Sequence, residues 1–382
     1  MDYWWILYII DGLLFFGVAC TIAYMTVFAI ASQFKRGTKV LKSKRQNRFI
    51  ILVPAYKCDD VIESTVKSIL GQIYPQRLFD VVVISVGNDE ITNFKLAQHP
   101  ITLLTPEFKS STKTKLLQYA VNNLPQFKIY DIAVILDANN IVLPEFLDEM
   151  NNAYESAGTK AIQAHRVSKN RDTASAILSA TFEEINNAIF RQGHITIGLP
   201  AAICGSGMAF NYNWFKNNII KTNASMEEKE LEALLMRQHI FIDYFDDILV
   251  FDEKVRHTKD FNRQHKRWMS SQFHTLMHNI RFLPGAIYNK HYDLMDKIFQ
   301  WMLIPRTQLI GIIFFMSIIM PWIYMTLAIK WWVAASVIML VFAIATPDYL
   351  VDKRWDRAFI KVPFIILSSI FNLHAIIRRP HR

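Results

Sequence analysis

Cysteine is scarce: Cys20, Cys58 and Cys204 are the only three in 382 residues, and none forms a CxxC pair. That excludes a disulfide framework and a zinc knuckle, and it fits a reducing compartment. Internal repeats and low-complexity stretches are missing too, so neither a solenoid nor a compositionally biased tail organises the chain. Charge is nearly absent from Trp4 to Ser32, where Asp11 is the single exception. A run of that length exceeds the roughly 20 apolar residues needed to cross a hydrocarbon core. No basic cluster precedes it, as one would in a cleaved signal peptide. The positive residues follow it instead: Lys35, Arg36, Lys39, Lys42, Lys44 and Arg45. Positive flanks stay on the cytoplasmic side, which predicts an uncleaved helix with its N-terminus outside.

What is present is apolar and basic. The chain is 52% hydrophobic with mean hydropathy +0.16, and carries net charge +9. A basic balance suits nucleic acid, anionic lipid or a phosphorylated substrate. The basic residues gather at the edges of apolar blocks rather than along one exposed face, which argues against nucleic acid. The blocks divide the chain into a membrane helix (1–33), a basic linker (34–46), a soluble domain (47–258) and interfacial helices (259–305). Two membrane helices (306–347) and a basic loop with a last apolar segment (348–382) follow. The two late spans are read as 309–329 and 331–345, with "KWW" (330–332) as a short exterior turn carrying interfacial aromatics. Residues 359–377 read as an interfacial helix or as a further span.

Within the soluble domain, β-rich runs recur at 49–56, 80–85, 101–105, 132–138 and 160–167. Helical stretches at 59–72, 113–123 and 173–192 lie among them. This alternation predicts an α/β fold, a mostly parallel sheet with helices on both faces. Ligands on such sheets sit beyond the carboxyl ends of the strands, where Tyr56, Ser85 and Asp137 fall.

Five stretches carry possible chemistry. The run "VILDANN" ends a buried strand on Asp137-Ala138-Asn139-Asn140. This is either an Asx turn or a set of hard oxygen ligands for a divalent cation on a diphosphate. "SMEEKELE" (225–232) starts an amphipathic helix whose Glu227, Glu228, Glu230 and Glu232 suit the helix dipole; a carboxylate there also suits general-base work. "RQHKRW" (263–268) puts Gln264, Arg267 and Trp268 on one helical face, either as a phosphate grip with a flat wall or as a basic membrane-contacting helix. "ICGSGMAF" (203–210) is a small-residue turn that admits a ligand or simply a tight loop. Lys113 and Lys115 open a helix, where a cation is unfavourable unless an anion is near.

Taken in order, these pieces resemble family 2 glycosyltransferases of the membrane-embedded synthase branch, which includes cellulose, chitin and hyaluronan synthases and ceramide glucosyltransferase. "VPAYKCDDVIESTVKSILGQIYP" resembles that family's opening strand and helix, "LDANN" its Asp-x-Asp strand end, and "GSGMAF" its acceptor-side glycine turn. "MEEKELE" stands where the family has Thr-Glu-Asp, and "QHKRW" matches Gln-x-x-Arg-Trp. The resemblance implies a GT-A-like, Rossmann-like domain and an inverting, metal-dependent transfer from a nucleotide sugar, UDP-linked by expectation, to a lipid or glycan hydroxyl. It implies a multi-pass protein of the inner or plasma membrane with its catalytic domain in the cytoplasm. Asp137 and Asn139 would hold Mg²⁺ or Mn²⁺ on the diphosphate. Glu228 would be the base, with Glu227 and Arg267 beside it. Ala55, Tyr56, Lys113, Asp89, Gln264 and Trp268 would surround the donor. Gly205, Ser206, Gly207 and Trp268 would face the acceptor.

Three departures from the family stand out. Met226 replaces Thr and Glu228 replaces the base Asp; Asn139 replaces the second Asp of Asp-x-Asp. Ser85-Val86 stands where an Asp usually reads the nucleotide base, leaving Asp89 as the nearest substitute. These departures also suit a catalytically silent scaffold or sensor that binds nucleotide sugar or glycan. Three or four membrane helices are fewer than a polymer-threading synthase uses. That points to a lipid-linked or short-chain acceptor, or to a homo-oligomer with its pore between subunits.

Overall fold

The computed structural model describes residues 4–108, 112–125, 127–222, 228–254 and 258–352, with backbone alone at Glu228 and 258–267. Strand β1 (Phe49–Tyr56) is apolar on both sides because both of its faces are covered. Ile50 and Leu52 enter one core layer; Phe49, Ile51, Val53 and Ala55 enter the other. Alternation of side chains along a strand produces this division. The remaining strands are β2 (Phe79–Val86), β3 (Thr102–Leu104), β4 (Ile132–Ile135), β5 (Asn140–Val142), β6 (Ala161–Ser168), β7 (Met208–Asn211) and β8 (Ile242–Asp252). They form one sheet in the order β3-β2-β1-β4-β7-β6-β8-β5.

The pairings β3/β2, β2/β1, β1/β4 and β6/β8 are parallel, as the alternation predicts. The sheet is nonetheless mixed: β7 runs antiparallel to both β4 and β6, and β5 antiparallel to β8. The reversal matters for the site. Met208, the first residue of β7, pairs with Ile135, the last of β4. The loop before β7 is thereby placed beside Asp137.

The helices follow chain order. The first is α1 (Trp4–Ser32). Then come α2 (Ile62–Leu70), α3 (Glu90–Ala97), α4 (Lys113–Asn123), α5 (Phe146–Ala157), α6 (Ala174–Asn187), α7 (Gly193–Ile197), α8 (Tyr212–Ile219) and α9 (Glu228–Arg237). The last five are α10 (Thr258–Asn279), α11 (Leu283–Tyr288), α12 (Tyr292–Met302), α13 (Arg306–Ile323) and α14 (Met325–Ala345). Between α6 and α7, residues Ala188–Gln192 form a π-helical turn. Here α1 makes its closest approach. A Cβ on Gly193 would lie 2.2 Å from the carbonyl oxygen of Phe28, so only glycine admits the α1 backbone.

Helices α1, α13 and α14 are long and apolar enough to cross a membrane. They pack together through Val18, Met25, Leu309, Ile313, Trp331 and Ile338, while Phe314, Phe315 and Trp322 face outward. The exterior turn expected at "KWW" is not one: these residues lie inside α14, and the break falls at Tyr324. The reason is that all three side chains are satisfied within the helices. Lys330 pairs with Asp11. Trp331 Nε1 donates to Asp11 Oδ1 at 2.9 Å. Pro321 lacks the amide that would bond the carbonyl of Ser317, and Trp332 Nε1 donates to that carbonyl instead at 3.1 Å. The lone acid of the first apolar run thus has its partner in the third, as a charge buried between apolar helices requires. Residues 353–382, including the last apolar segment, lie outside the described residues.

Candidate active site

The turn after β4 is closed by its own asparagines. Asn140 is fully buried; its Oδ1 accepts from the Asp137 amide at 2.9 Å and from Ser206 Oγ, while its own amide donates to the Asp137 carbonyl at 3.0 Å. Asn139 Nδ2 donates to Asp252 Oδ1 and to the Glu253 carbonyl, each at 3.1 Å. The two asparagines therefore close the turn and tie it to the end of β8. Asp137 alone is left to project, and its side chain is partly exposed.

Lys113, the first residue of α4, donates to Asp137 Oδ1 and to the Gly205 carbonyl. The anion that a lysine at a helix start requires is therefore Asp137. Ser206 is fully buried, and Gly207 has φ +66 with a prospective Cβ 3.0 Å from Val250 and 3.3 Å from Ala164. The glycine turn is thus stitched between β4 and β6, with the Gly207 amide bonded to Ile135 and its carbonyl to Ala164.

Next to this turn lies a buried ionic cluster. Glu183 on α6 receives Arg166 at 2.6 Å, Arg191 at 3.1 Å and Lys254 at 3.6 Å. Lys254 also meets Asp252 at 2.8 Å. Burial opposes the charge on Glu183, but the three cations overcome it and hold the carboxyl well below its usual range. The π-helical turn inserts the residue that brings Arg191 round to Glu183 and to the Ala202 carbonyl, 3.1 Å from Nε.

Asp137, Asn139 and the ionic cluster open onto one cavity of about 440 Å³, whose lining does not include Lys113 or Gly205 to Gly207. Asp137 and Asn139 line it on the sheet side. Lys229 reaches it from the first turn of α9, and Trp268 and Gln272 from α10. Met25 of α1 and Ile304–Thr307 at the start of α13 complete the wall. Helix α9 is held in place by Glu232, which is fully buried, accepts from the Ile203 amide at 3.3 Å and faces Lys297 of α12 at 3.5 Å. Glu228 stands one turn before Glu232 on the same helix, so its Cα lies on the same side. Gln272 Nε2 donates to the Trp301 and Leu303 carbonyls at 3.1 and 3.2 Å, which locks α10 to the foot of α13.

The other expected site residues divide. Tyr56 is 46% exposed at the end of β1, Ala55 is packed into the core, and Asp89 is an exposed residue before α3; none of them lines the cavity. Asn88 joins these strand ends: its Oδ1 accepts from the Cys58 amide at 2.7 Å and its Nδ2 donates to Ser85 Oγ at 2.8 Å. Glu227 lies outside the described residues, as do the side chains of Glu228, Gln264 and Arg267. Arg166, Glu183, Arg191, Lys254 and Arg306 line the cavity without having been singled out in the sequence. Gln272 had a readable signal, since it follows Trp268 by one helical turn.

A second buried group is a pH probe of the fold. His165 bonds Glu184 through Nε2 at 3.0 Å and Asp246 through Nδ1 at 3.0 Å. Burial works against its charge, but hydrogen bonds to Asp246 and Glu184 prevail and push it up to about 10. A raised histidine stabilises fully below its unfolded value of about 6.5, and the contribution drains away as pH rises toward 10. The melting temperature should therefore fall from pH 6.5 to 9. His165→Gln should melt lower at pH 6.5 and show a flatter profile; equal slopes in both proteins would refute the assignment.

The mixed sheet with its ligand-facing carboxyl edge defines a GT-A-like α/β fold. A family model described as glycosyltransferase-like family 2 matches residues 46–271, more than half of the chain. The chain belongs to that glycosyltransferase family. Among solved structures it is similar to the mannosyltransferase PcManGT from Pyrobaculum calidifontis, in complex with GDP-Man and Mn²⁺. The TM-score is 0.55 at 16% identity, over 93% of this chain and 98% of that one. S. aureus TarS 1–349 aligns more loosely, with TM-score 0.47 at 12% identity over 88% and 93% of the two chains. No curated protein matches the chain in sequence.

Proposed function

We propose that the protein is a membrane-bound, inverting glycosyltransferase that moves a sugar from a nucleotide diphosphate to a hydroxyl of a lipid-linked or growing glycan acceptor. The observation that carries this reading is the single cavity. It includes Asp137, the first turn of α9, Trp268 of α10, Met25 within α1 and the start of α13, the last two on helices apolar enough to span a bilayer. Donor chemistry and a membrane-borne acceptor can meet there.

Among the described residues no cluster of three metal-ligating side chains occurs. Mg²⁺ commonly binds through one or two carboxylates plus substrate phosphates, so Asp137 suits a cation that arrives with the diphosphate. Asn139 is bonded to β8 and supports the turn rather than supplying charge. When bound, the cation neutralises the diphosphate. Lys113 stands against the same carboxylate and can move its charge to the leaving group. Glu228 takes the proton of the acceptor hydroxyl as that oxygen bonds to the anomeric carbon and the carbon–phosphate-oxygen bond breaks. One such displacement inverts the centre. By resemblance, Gln264, Arg267 and Trp268 close over the diphosphate, and Gly205 to Gly207 back the acceptor end.

The test is a donor panel on purified protein with Mn²⁺ or Mg²⁺, scored by release of nucleoside diphosphate. UDP-linked hexoses are the first expectation, and the ligand of the Pyrobaculum enzyme adds GDP-mannose. Glu228→Gln should slow the responding donor about 100-fold, the lower end of what a general base contributes. Retained binding with no release from any donor would favour the silent sensor instead.

A further inference from the structure

The charges around the cavity do not balance at its membrane end. Arg166, Arg191, Lys254 and Arg306 stand with three carboxylates, Glu183, Asp252 and Glu253, and Glu253 is shared with Lys169 outside the lining. Arg306 is the unmatched member. Its Nη1 donates to the Phe182 carbonyl at 3.1 Å and its guanidinium lies 5.3 Å from the Phe182 ring centre. No carboxylate within salt-bridge distance of it occurs among the described residues. Arg166 Nε is likewise buried without a hydrogen-bond partner. Surplus positive charge in a half-enclosed, partly apolar site is costly, and an anion offsets it.

The position of Arg306 says which anion. It is the first residue of α13, an apolar helix of spanning length. Met25, which also lines the cavity, lies seven residues inside α1, or about 10 Å from that helix's end. Ile304, Pro305 and Phe182 add apolar surface between them. One end of the cavity therefore suits a chain in the bilayer, Arg306 suits a phosphate at headgroup depth, and the donor end lies further in at Asp137. Guanidinium is the group best shaped to hold phosphate oxygens by two parallel bonds.

On the strength of the function proposed above, we infer that the acceptor is an anionic lipid whose phosphodiester rests on Arg306 at the foot of α13, with its chains against α1 and its free hydroxyl turned toward α9.

The experiment measures binding apart from turnover. Full-length protein in polyoxyethylene detergent, which carries neither sugar nor phosphate, is titrated with phosphatidylglycerol brominated on its acyl chains. Quenching of tryptophan fluorescence reports binding, since Trp268 and Trp301 line the cavity. Brominated diacylglycerol and soluble glycerophosphoglycerol are the comparison arms. Phosphatidylglycerol should bind at least tenfold more tightly than diacylglycerol, and glycerophosphoglycerol should not displace it at equal concentration. Arg306→Gln should erase the preference, and Arg306→Lys, which keeps the charge without the fork, should retain part of it. Donor KM should stay within about threefold in both.

Equal binding of diacylglycerol, full displacement by glycerophosphoglycerol, or an unchanged preference in both variants overturns the inference. So does a tenfold rise in donor KM with lipid binding intact, which would assign Arg306 to the donor diphosphate. Lipid preference lost in Arg306→Gln but with no donor turned over would instead sink the enzyme reading, leaving the anionic-lipid site on Arg306 but overturning its role as the acceptor site.

Discussion

Asp137→Ala should lower sugar transfer by about 10³-fold, roughly 4 kcal/mol of transition-state stabilisation, with the protein still folded. Asp137 is the one carboxylate of the β4 turn that projects into the cavity without being consumed by the turn itself. Asn140 holds the loop through the Asp137 backbone and Asn139 through Asp252 and Glu253, neither through the Asp137 side chain. Removing the carboxylate therefore leaves the loop closed. What is lost is the anchor for Lys113 and for a cation on the diphosphate. The check is nucleoside diphosphate release under saturating donor, with a Mn²⁺ titration beside it. The wild type should respond to metal and lose activity in chelator; the variant should not recover at any metal concentration. A loss smaller than tenfold would show that another group carries the diphosphate.

Glu183→Gln should destabilise the fold by about 3–5 kcal/mol, the usual cost of removing one member of a buried ionic cluster. Three cations share this carboxylate: Arg166 and Arg191 within 3.1 Å, and Lys254 at 3.6 Å. Glutamine keeps the volume but brings an amide that would point donors at donors. Thermal or denaturant unfolding measures the effect. Glu63→Gln is the control, because its partner Lys67 sits on an exposed helix face at 2.6 Å and such pairs contribute at most about 1 kcal/mol. If the two variants shift equally, Glu183 is not the hub of the cluster. Burial makes the difference: Glu183 is only 3% exposed, so little water can replace the carboxylate.

The two largest effects draw on different levels of information. Asp137 was legible as an acid at the end of an apolar strand, and Lys113 as a cation in need of an anion. Glu183 was not legible. It lies in the "TFEEIN" stretch of α6, where a glutamate at that spacing reads as a solvated face. Its burial comes from Arg166 on β6, Arg191 on the π-helical turn and Lys254 after β8. Arg306 was hidden for the same reason, since a basic residue before an apolar helix is what the positive-inside pattern expects anyway. "KWW" misled in the opposite direction. Aromatics beside a lysine mark an interface only when no buried acid is in reach, and Asp11 is in reach, on a helix more than 300 residues earlier.

Local pattern by itself determined the parallel half of the sheet, the helix start at Lys113 and the presence of the apolar runs, though not where the last two divide. Each depends on residues only a few positions apart, whose period sets which face is buried. Tertiary structure alone decided that β7 runs antiparallel, that the turn of Gly205 to Gly207 lies against Asp137, and that the apolar helices α1 and α13 reach the same cavity. Those outcomes depend on contacts between segments dozens to hundreds of residues apart. A side chain's charge state and role there follow from what those segments take away from water.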